Sequence, residues 1–227
     1  MPLTRERPKC LLPVGGRPIV LWQLEALAAC GLDEVVIVTG HGAAEVRAAC
    51  EGRARCVHNP DYDTTNSLYS LALAEAAVAG RPLVLLNGDV LFPPLLLRRL
   101  LAAPFPDGLL VDFGARLDAE AMKVQVRDGR VLAIDKGLPE READGENVGL
   151  VKFSASGAAA LFRAARALVA EGGAGAWAPA AYARLLRERP LGALATDGLP
   201  WIEIDYPEDL ERAEREILPR ILALAAR

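Results

Sequence analysis

Two aspartates stand where a sheet would deliver them to a ligand. Asp89 closes "PLVLLNGD", an apolar run ending in a polar turn, and Asp205 closes "WIEID" just ahead of Pro207. In an open α/β sheet, ligands collect outside the carboxyl ends of the strands. Two strand-end carboxylates on one sheet are the minimum for holding a hard cation such as Mg²⁺ against phosphate oxygens. Each has a plainer use. Asp89 also suits a turn or the cap of the next helix, and Asp205 the cap of the helix entered through Pro207. Glu208 and Asp209 fit the first turn of that helix through its dipole and call for no other role.

The cations are as selective as the carboxylates. Of the 26 basic residues four are lysine (Lys9, Lys123, Lys136 and Lys152) and 22 are arginine. Lysine is a mobile point charge suited to phosphate oxygens. Lys9 follows Pro8 in a basic opening, "PLTRERPKCLLPVGG". Lys123 opens one strand of a hairpin and Lys136 ends the other, so either can face a ligand while its neighbours pack. Taken singly, each is equally at home in solvent. The polar run Thr64, Thr65, Asn66 and Ser67 opens a helix whose N–H groups could receive an anion or a base edge. Capping accounts for one or two of these four.

The elements that must position these groups alternate in type. "PIVLWQLEALAACG" has apolar residues at helical spacing between Pro18 and Gly31, with Trp22 assigned to the core. "DEVVIVTG", "RARCVHN", "PLVLLNGDV" and "GLLVDFG" read as strands, separated by the helices "AAEVRAACEG", "TNSLYSLALAEAAVAG" and "PPLLLRRLLAA". Strand–helix alternation predicts an α/β, Rossmann-like three-layer fold with a mostly parallel sheet. The pattern then changes. "MKVQVRDGRVLAIDKG" is a hairpin around Asp128-Gly129, and "NVGLVKFS" a further strand. Helices follow near residues 156–170 and 179–189. "GALATDGLPWIEIDY" holds two short strands, and one last helix aligns Leu210, Ala213, Ile217, Ile221 and Leu224. The expectation is a single domain over residues 1–227 with an antiparallel insert in its second half.

Bulk properties exclude several classes. The 227 residues are 52% hydrophobic, enough for one sizeable core, and the net charge is −4 without any basic stripe, which argues against a nucleic-acid polymer as partner. Cys10, Cys30, Cys50 and Cys56 form no C-x-x-C pair, so a structural zinc site is not expected. With no signal-like opening and no membrane-length apolar run, a reduced, cytoplasmic protein without membrane insertion is expected. The two histidines, His41 and His58, fall in separate segments and offer no His-based triad.

The order of motifs resembles a known family. "PLTRERPKCLLPVGGRPIV", "NPDYDTTNSLYSL", "LLNGDV", "MKVQVRDGRVLAIDKGL", "GENVGLVKFS" and "WIEIDYPEDL" are similar, nearly end to end, to the nucleotidyltransferases that activate sugar phosphates and small phospho-alcohols. They look most like the small single-domain cytidylyltransferases acting on phosphocholine, 2-aminoethylphosphonate or inositol phosphate. The resemblance implies that an acceptor phosphate or phosphonate oxygen attacks the α-phosphorus of CTP and pyrophosphate leaves. It implies Mg²⁺ on Asp89 and Asp205, Lys9 and Lys123 as catalytic lysines, and Lys136 as a third site lysine. Arg5 and Arg7 are weaker candidates in a stretch that is often mobile. Asn66 and Ser67 would lie near nucleotide or acceptor, and Glu146 would face the acceptor or pair within its loop. A choline-type acceptor would want aromatic faces, for which Tyr69, Trp177, Tyr182, Trp201 and Tyr206 are candidates, core packing being the ordinary role of any one. CTP or another NTP and a small acceptor are the partners implied, and a homodimer is allowed.

One departure bears on activity. Related enzymes carry a strand and a glycine-rich "LAAG.G.R" loop immediately before the "PLT" segment, and that loop wraps the nucleotide with backbone N–H groups. The expectation is therefore that the natural start lies upstream of Met1. The alternative is a truncated, non-catalytic nucleotide-binding domain. A sugar-1-phosphate nucleotidylyltransferase is the alternative enzyme. A nucleotide-sugar glycosyltransferase ranks low, because "NGDV" lacks the D-x-D pair. The choice of base stays open, since the absent loop would read it.

Overall fold

The computed structural model describes residues 7–78 and 80–225. In chain order the strands are β1 (Pro13–Val14), β2 (Arg17–Pro18), β3 (Val36–Thr39), β4 (Arg55–His58), β5 (Leu83–Leu86), β6 (Val90–Leu91), β7 (Gly108–Asp112), β8 (Lys123–Arg127), β9 (Arg130–Asp135), β10 (Gly145–Phe153), β11 (Gly192–Ala195) and β12 (Ile202–Glu203). The helices are α1 (Ile19–Ala28), α2 (Ala43–Cys50), α3 (Ser67–Val78), α4 (Pro94–Ala102), α5 (Ala155–Ala170), α6 (Pro179–Leu185), α7 (Pro207–Arg212) and α8 (Leu218–Ala225). Every strand and helix read from the sequence is present. The chain gathers into two compact units, described in turn.

The first unit comprises the chain up to His58, Leu86–Arg99, and the chain from Leu199 onward. Strands β3 and β4 pair in parallel, and the two-residue strands β6 and β12 pair antiparallel, with Ile202 opposite Leu91 and Glu203 opposite Val90. Ile202 and Ile204 alternate into the core with Leu91, Ile19, Val14 and Ile217. A strand has period two, so Glu203 and Asp205 take the opposite face. The C-terminal helix departs from the single regular helix read from the sequence. A π-helical turn at Ala213–Ile217 separates α7 from α8. The wider turn brings adjacent Ile217 and Leu218 into the core together with Ala213 and Ile221.

The second unit comprises Asn59–Leu85 and Leu100–Gly198. Its sheet runs β5-β10-β7-β11-β9-β8. The α/β fold class stands, but strand directions are more mixed than the mostly parallel sheet expected. Pairing is parallel only for β7–β11 among the described ladders of this sheet, and antiparallel for β10–β7, β10–β8, β11–β9 and β8–β9. The hairpin and the nine-residue β10, which reaches both β7 and β8, reverse direction inside the sheet itself. The hairpin turn is built as read: Asp128 and Gly129 have φ of 51° and 71°, the pair of positive values a type I′ turn requires. Helices α3, α5 and α6 cover this sheet through Leu68, Leu71, Leu161, Phe162 and Leu185.

Candidate functional site

In the first unit, three residues remote in sequence converge. Lys9 Nζ lies 3.3 Å from Asp89 Oδ2 and donates also to Asp205 Oδ1 in a shorter contact. All three side chains keep partial access to solvent, between 21% and 34%. Burial alone would lower the lysine pKa. The hydrogen bond that Lys9 donates to Asp205 and the charges of both carboxylates outweigh it, and the net direction is up. Lys9 is thus firmly a cation.

Neither aspartate is spent on a cap. Asp89 lies in the turn between β5 and β6, and its carbonyl accepts the N–H of Ile204 at 3.0 Å. Asp205 precedes α7, whose N-cap residue is Tyr206; the third residue of the helix, Asp209, reaches back so that its Oδ2 accepts from the N–H groups of Tyr206 at 2.9 Å and Asp205 at 3.1 Å. The Asp205 carboxylate is left for Lys9. Asp89 and Asp205 fit a hard divalent cation, because both already turn to one positive charge. Among the described residues no group of three or more His, Cys, Asp or Glu could hold a metal alone. Phosphate oxygens and water would have to complete such a shell, which is how Mg²⁺ is usually held.

The sequence reading missed two residues here. Gln23 is buried on α1, and its Nε2 donates to the carbonyls of Asn87 and Val90, each at 2.8 Å. It therefore grips from behind the turn that carries Asp89. The signal was an uncharged amide on an apolar helix face, which needs partners when buried. Replacing Gln23 by Leu should leave both carbonyls unpaired, cost about 2 kcal/mol and let the turn drift, with turnover falling about tenfold. Urea unfolding alongside steady-state rates checks both. Glu203 is the other: it shares the face of Asp205 and accepts from Asn87 Nδ2 at 3.4 Å. The apolar alternation of Ile202 and Ile204 would have found it.

Of the other first-unit candidates, Arg7 is exposed, Trp201 is partly buried, and Tyr206 is an exposed residue at the start of α7. Arg5 lies outside the described residues. Cys10, beside Lys9, has a thiol pushed up to about 11 by burial, with Cys50 and Asp89 adding to it, and so is a poor nucleophile.

The second unit holds the remaining candidates. Lys123 is 3% exposed and its Nζ donates to the carbonyl of Lys136 at 2.7 Å. It sits in a cross-strand row of charges, Asp112 opposite Glu146, Glu146 opposite Lys123, and Lys123 opposite Asp135. Glu146 is thus a strand residue beside Lys123, not a loop residue. Lys136 Nζ pairs with Glu120 at 3.0 Å and lies 4.7 Å from the centre of the Trp177 ring. The start of α3 is already engaged. The N–H groups of Asn66 and Leu68 donate to the carbonyls of Ala174 and Ala176, that of Ser67 to Asn66 Oδ1, and Ser67 Oγ accepts from the N–H of Ala178. These groups hold a loop and do not form an open anion cradle. The hydroxyl of Tyr69 donates to Asp61 Oδ2 at 3.2 Å. Tyr182 is corrected outright: it is 3% exposed and packs on Phe153 at 5.8 Å, so burial raises its pKa and it serves the core.

The α/β scaffold has the nucleotidyltransferase fold, and in its first unit two carboxylates share a lysine. More particularly, the chain belongs to the family of the MobA-like NTP transferase domain, whose profile matches residues 4–200. It is 46% identical over 103 residues to the CMP-5'-(3-aminopropyl)phosphonate synthase of Streptomyces rubellomurinus, a match spanning 43% of this chain and 16% of that protein. It is 31% identical over 227 residues to the bifunctional IPC transferase and DIPP synthase of Rubrobacter xylanophilus, covering 93% of this chain and 48% of that one. The chain thus spans less than half the length of either curated relative. The inositol-1-phosphate CTP transferase structure from T. maritima has the same fold, with a TM-score of 0.80 at 21% identity over 97% of this chain and 89% of that one. No helix among the described residues is long and apolar enough to cross a membrane.

Proposed function

We propose that the domain transfers a cytidylyl group from CTP to a small phosphorylated or phosphonylated alcohol. The observation that carries this reading is the meeting of Lys9, Asp89 and Asp205 from three distant segments, in a chain that has among its curated relatives a CMP-phosphonate synthase and an IPC transferase. An acceptor phosphate or phosphonate oxygen attacks the α-phosphorus of CTP, the new O–P bond forms, the bond to the β-phosphate oxygen breaks, and pyrophosphate leaves. The acceptor oxygen is already anionic, so no general base is called for, in keeping with a cluster of one lysine and two carboxylates. Lys9 would neutralise charge on the phosphates, and a cation held by side chains in this way is worth most where charge accumulates in the transition state. Mg²⁺, when bound by Asp89 and Asp205, would supply further charge neutralisation at those oxygens.

Incubation of the chain with MgCl₂ and CTP, UTP, ATP or GTP against phosphocholine, 2-aminoethylphosphonate, inositol 1-phosphate and glucose 1-phosphate tests the reading. Pyrophosphate release with CTP and a phospho-alcohol or phosphonate is the expected result. Release only with glucose 1-phosphate would move the assignment to sugar activation. Nucleotide binding without release from any pair would sink the catalytic reading for this chain.

A further inference from the structure

Lys9, Asp89 and Asp205 arrive on three segments of the first unit that share one floor. Leu12 and Val14 follow Lys9, Leu91 follows Asp89, and Ile202 and Ile204 precede Asp205. All five are buried in one cluster with Ala213 and Ile217 of the π-helical turn and with Leu218 just after it. The C-terminal helix also touches the lysine segment directly. Strands β1 and β2 pair Pro13 with Pro18 and Val14 with Arg17, and the tip between them is Gly15-Gly16, with φ of 60° and 77°. The Gly15 N–H donates to Glu214 Oε1 at 3.3 Å. A Cβ on Gly15 would collide with Leu218 Cδ2, and Leu218 is the only described side chain that such an atom would meet within 4 Å. Glu214 and Leu218 stand at i and i+4, so both reach the same tip. Turns of the π type inside helices occur often at functional sites.

We propose that Glu214 and Leu218 are positioning residues for Lys9: they fix the Gly15 tip and, through the β1–β2 hairpin, hold the loop that brings the Lys9 ammonium to Asp205. This rests on the reading of Lys9, Asp89 and Asp205 as the reacting cluster, and adds the element that keeps them together. The linkage is short. At the base of the hairpin the Leu12 carbonyl accepts from the N–H of Ile19 at 3.1 Å, and the Leu12 N–H donates to the Lys9 carbonyl at 2.9 Å. In the first arm Val14 is fully buried, and its carbonyl accepts from Trp22 Nε1 at 3.0 Å. The hairpin is thus held by α1 along one arm and by the C-terminal helix at its tip. A lysine side chain is flexible, so the backbone of the loop is the part that the fold can fix. A misplacement of about 1 Å can cost on the order of a hundredfold in rate. Glycine is required at residue 15 on two counts, the positive φ and the contact with Leu218.

Pyrophosphate-release kinetics and amide hydrogen exchange of the full chain test the proposal together. Leu218→Ala should lower kcat about tenfold and leave KM for CTP and acceptor within about twofold, as expected when a contact felt in the transition state is lost. Glu214→Ala should lower kcat about threefold, the size of one hydrogen bond, and Glu214→Gln, which keeps the accepting oxygen, should restore most of the loss. Ile221→Ala is the control. Ile221 is 5% exposed in the same cluster, so its loss should lower the urea midpoint about as much as Leu218→Ala and leave kcat per folded molecule unchanged. Without turnover, the Leu11 and Leu12 amides, which close the turn carrying Lys9, should exchange about tenfold faster in Leu218→Ala and at the wild-type rate in Ile221→Ala. Equal exchange in those two variants, a rise in KM in place of the fall in kcat, or Glu214→Gln no better than Glu214→Ala would each overturn the proposal. A wild type that releases no pyrophosphate would sink the parent reading, while the exchange rates would still decide this one.

Discussion

Asp205→Asn should lower the rate of pyrophosphate release about a thousandfold and leave the fold standing. The size follows from what the change removes. Asparagine keeps the shape and one oxygen but loses the charge that pairs with Lys9 and would help to hold a divalent cation. Removing one preorganised electrostatic contact to a transition state costs about 10²–10³ in rate, and here a single residue serves two cations. Stability should hardly move. The Asp205 side chain is one-third exposed, the start of α7 is held by the Asp209 carboxylate, and the core positions of this segment belong to Ile202 and Ile204. The comparison to make is the single-turnover rate beside the thermal midpoint. Wild-type turnover in Asp205→Asn would remove this residue from the site. A large fall in the midpoint would show a structural role instead.

The second large effect is on stability, in the second unit. Asp107 is 1% exposed and its Oδ2 lies 2.6 Å from the Arg189 guanidinium. Its Oδ1 accepts from the N–H and the hydroxyl of Ser154 at 2.7 and 2.8 Å, and Ser154 in turn caps α5 by accepting from the N–H of Gly157. Gly157 is bare because a Cβ there would come within 2.1 Å of Asp107 Oδ1. Asp107→Ala should therefore destabilise the chain by about 3 kcal/mol, since it strands a guanidinium and undoes the cap of the longest helix. Arg189 is one-quarter exposed and can recover some hydration, which keeps the value near the lower end for a broken buried pair. Urea unfolding should show a lower midpoint with an unchanged slope. A loss below about 1 kcal/mol would mean that water replaces the carboxylate at little cost.

What was legible in the sequence had local causes. The apolar runs of β3 and β7, the period of α1, the Asp128-Gly129 turn and the proline entries to α4 and α7 are each encoded within a few residues, and each appears where the pattern put it. Asp89 and Asp205 stood out as polar residues closing apolar runs, but the single sheet expected to carry both is not formed: β5 lies in the six-stranded sheet and β12 pairs with β6 in a sheet of two. Strand direction was less legible. β10 turns back across the sheet because of pairings with β7 and β8, and no window of sequence contains them.

By itself the sequence determined the elements, the motif order and the residue types on offer: two strand-end aspartates, a few lysines and a handful of aromatics. Only the tertiary structure decided which of these meet. It brought Lys9 to Asp89 and Asp205 across 80 and 196 residues, and revealed Gln23 behind the turn that carries Asp89. It buried Tyr182 and presented Trp177, two aromatics that composition cannot tell apart. It used the first N–H groups of α3 to hold the Trp177 loop, although they read as an anion site. The physical reason is common to all. A hydrogen bond or an ion pair depends on distance in space, whereas periodicity, capping and turn chemistry report only on neighbours along the chain.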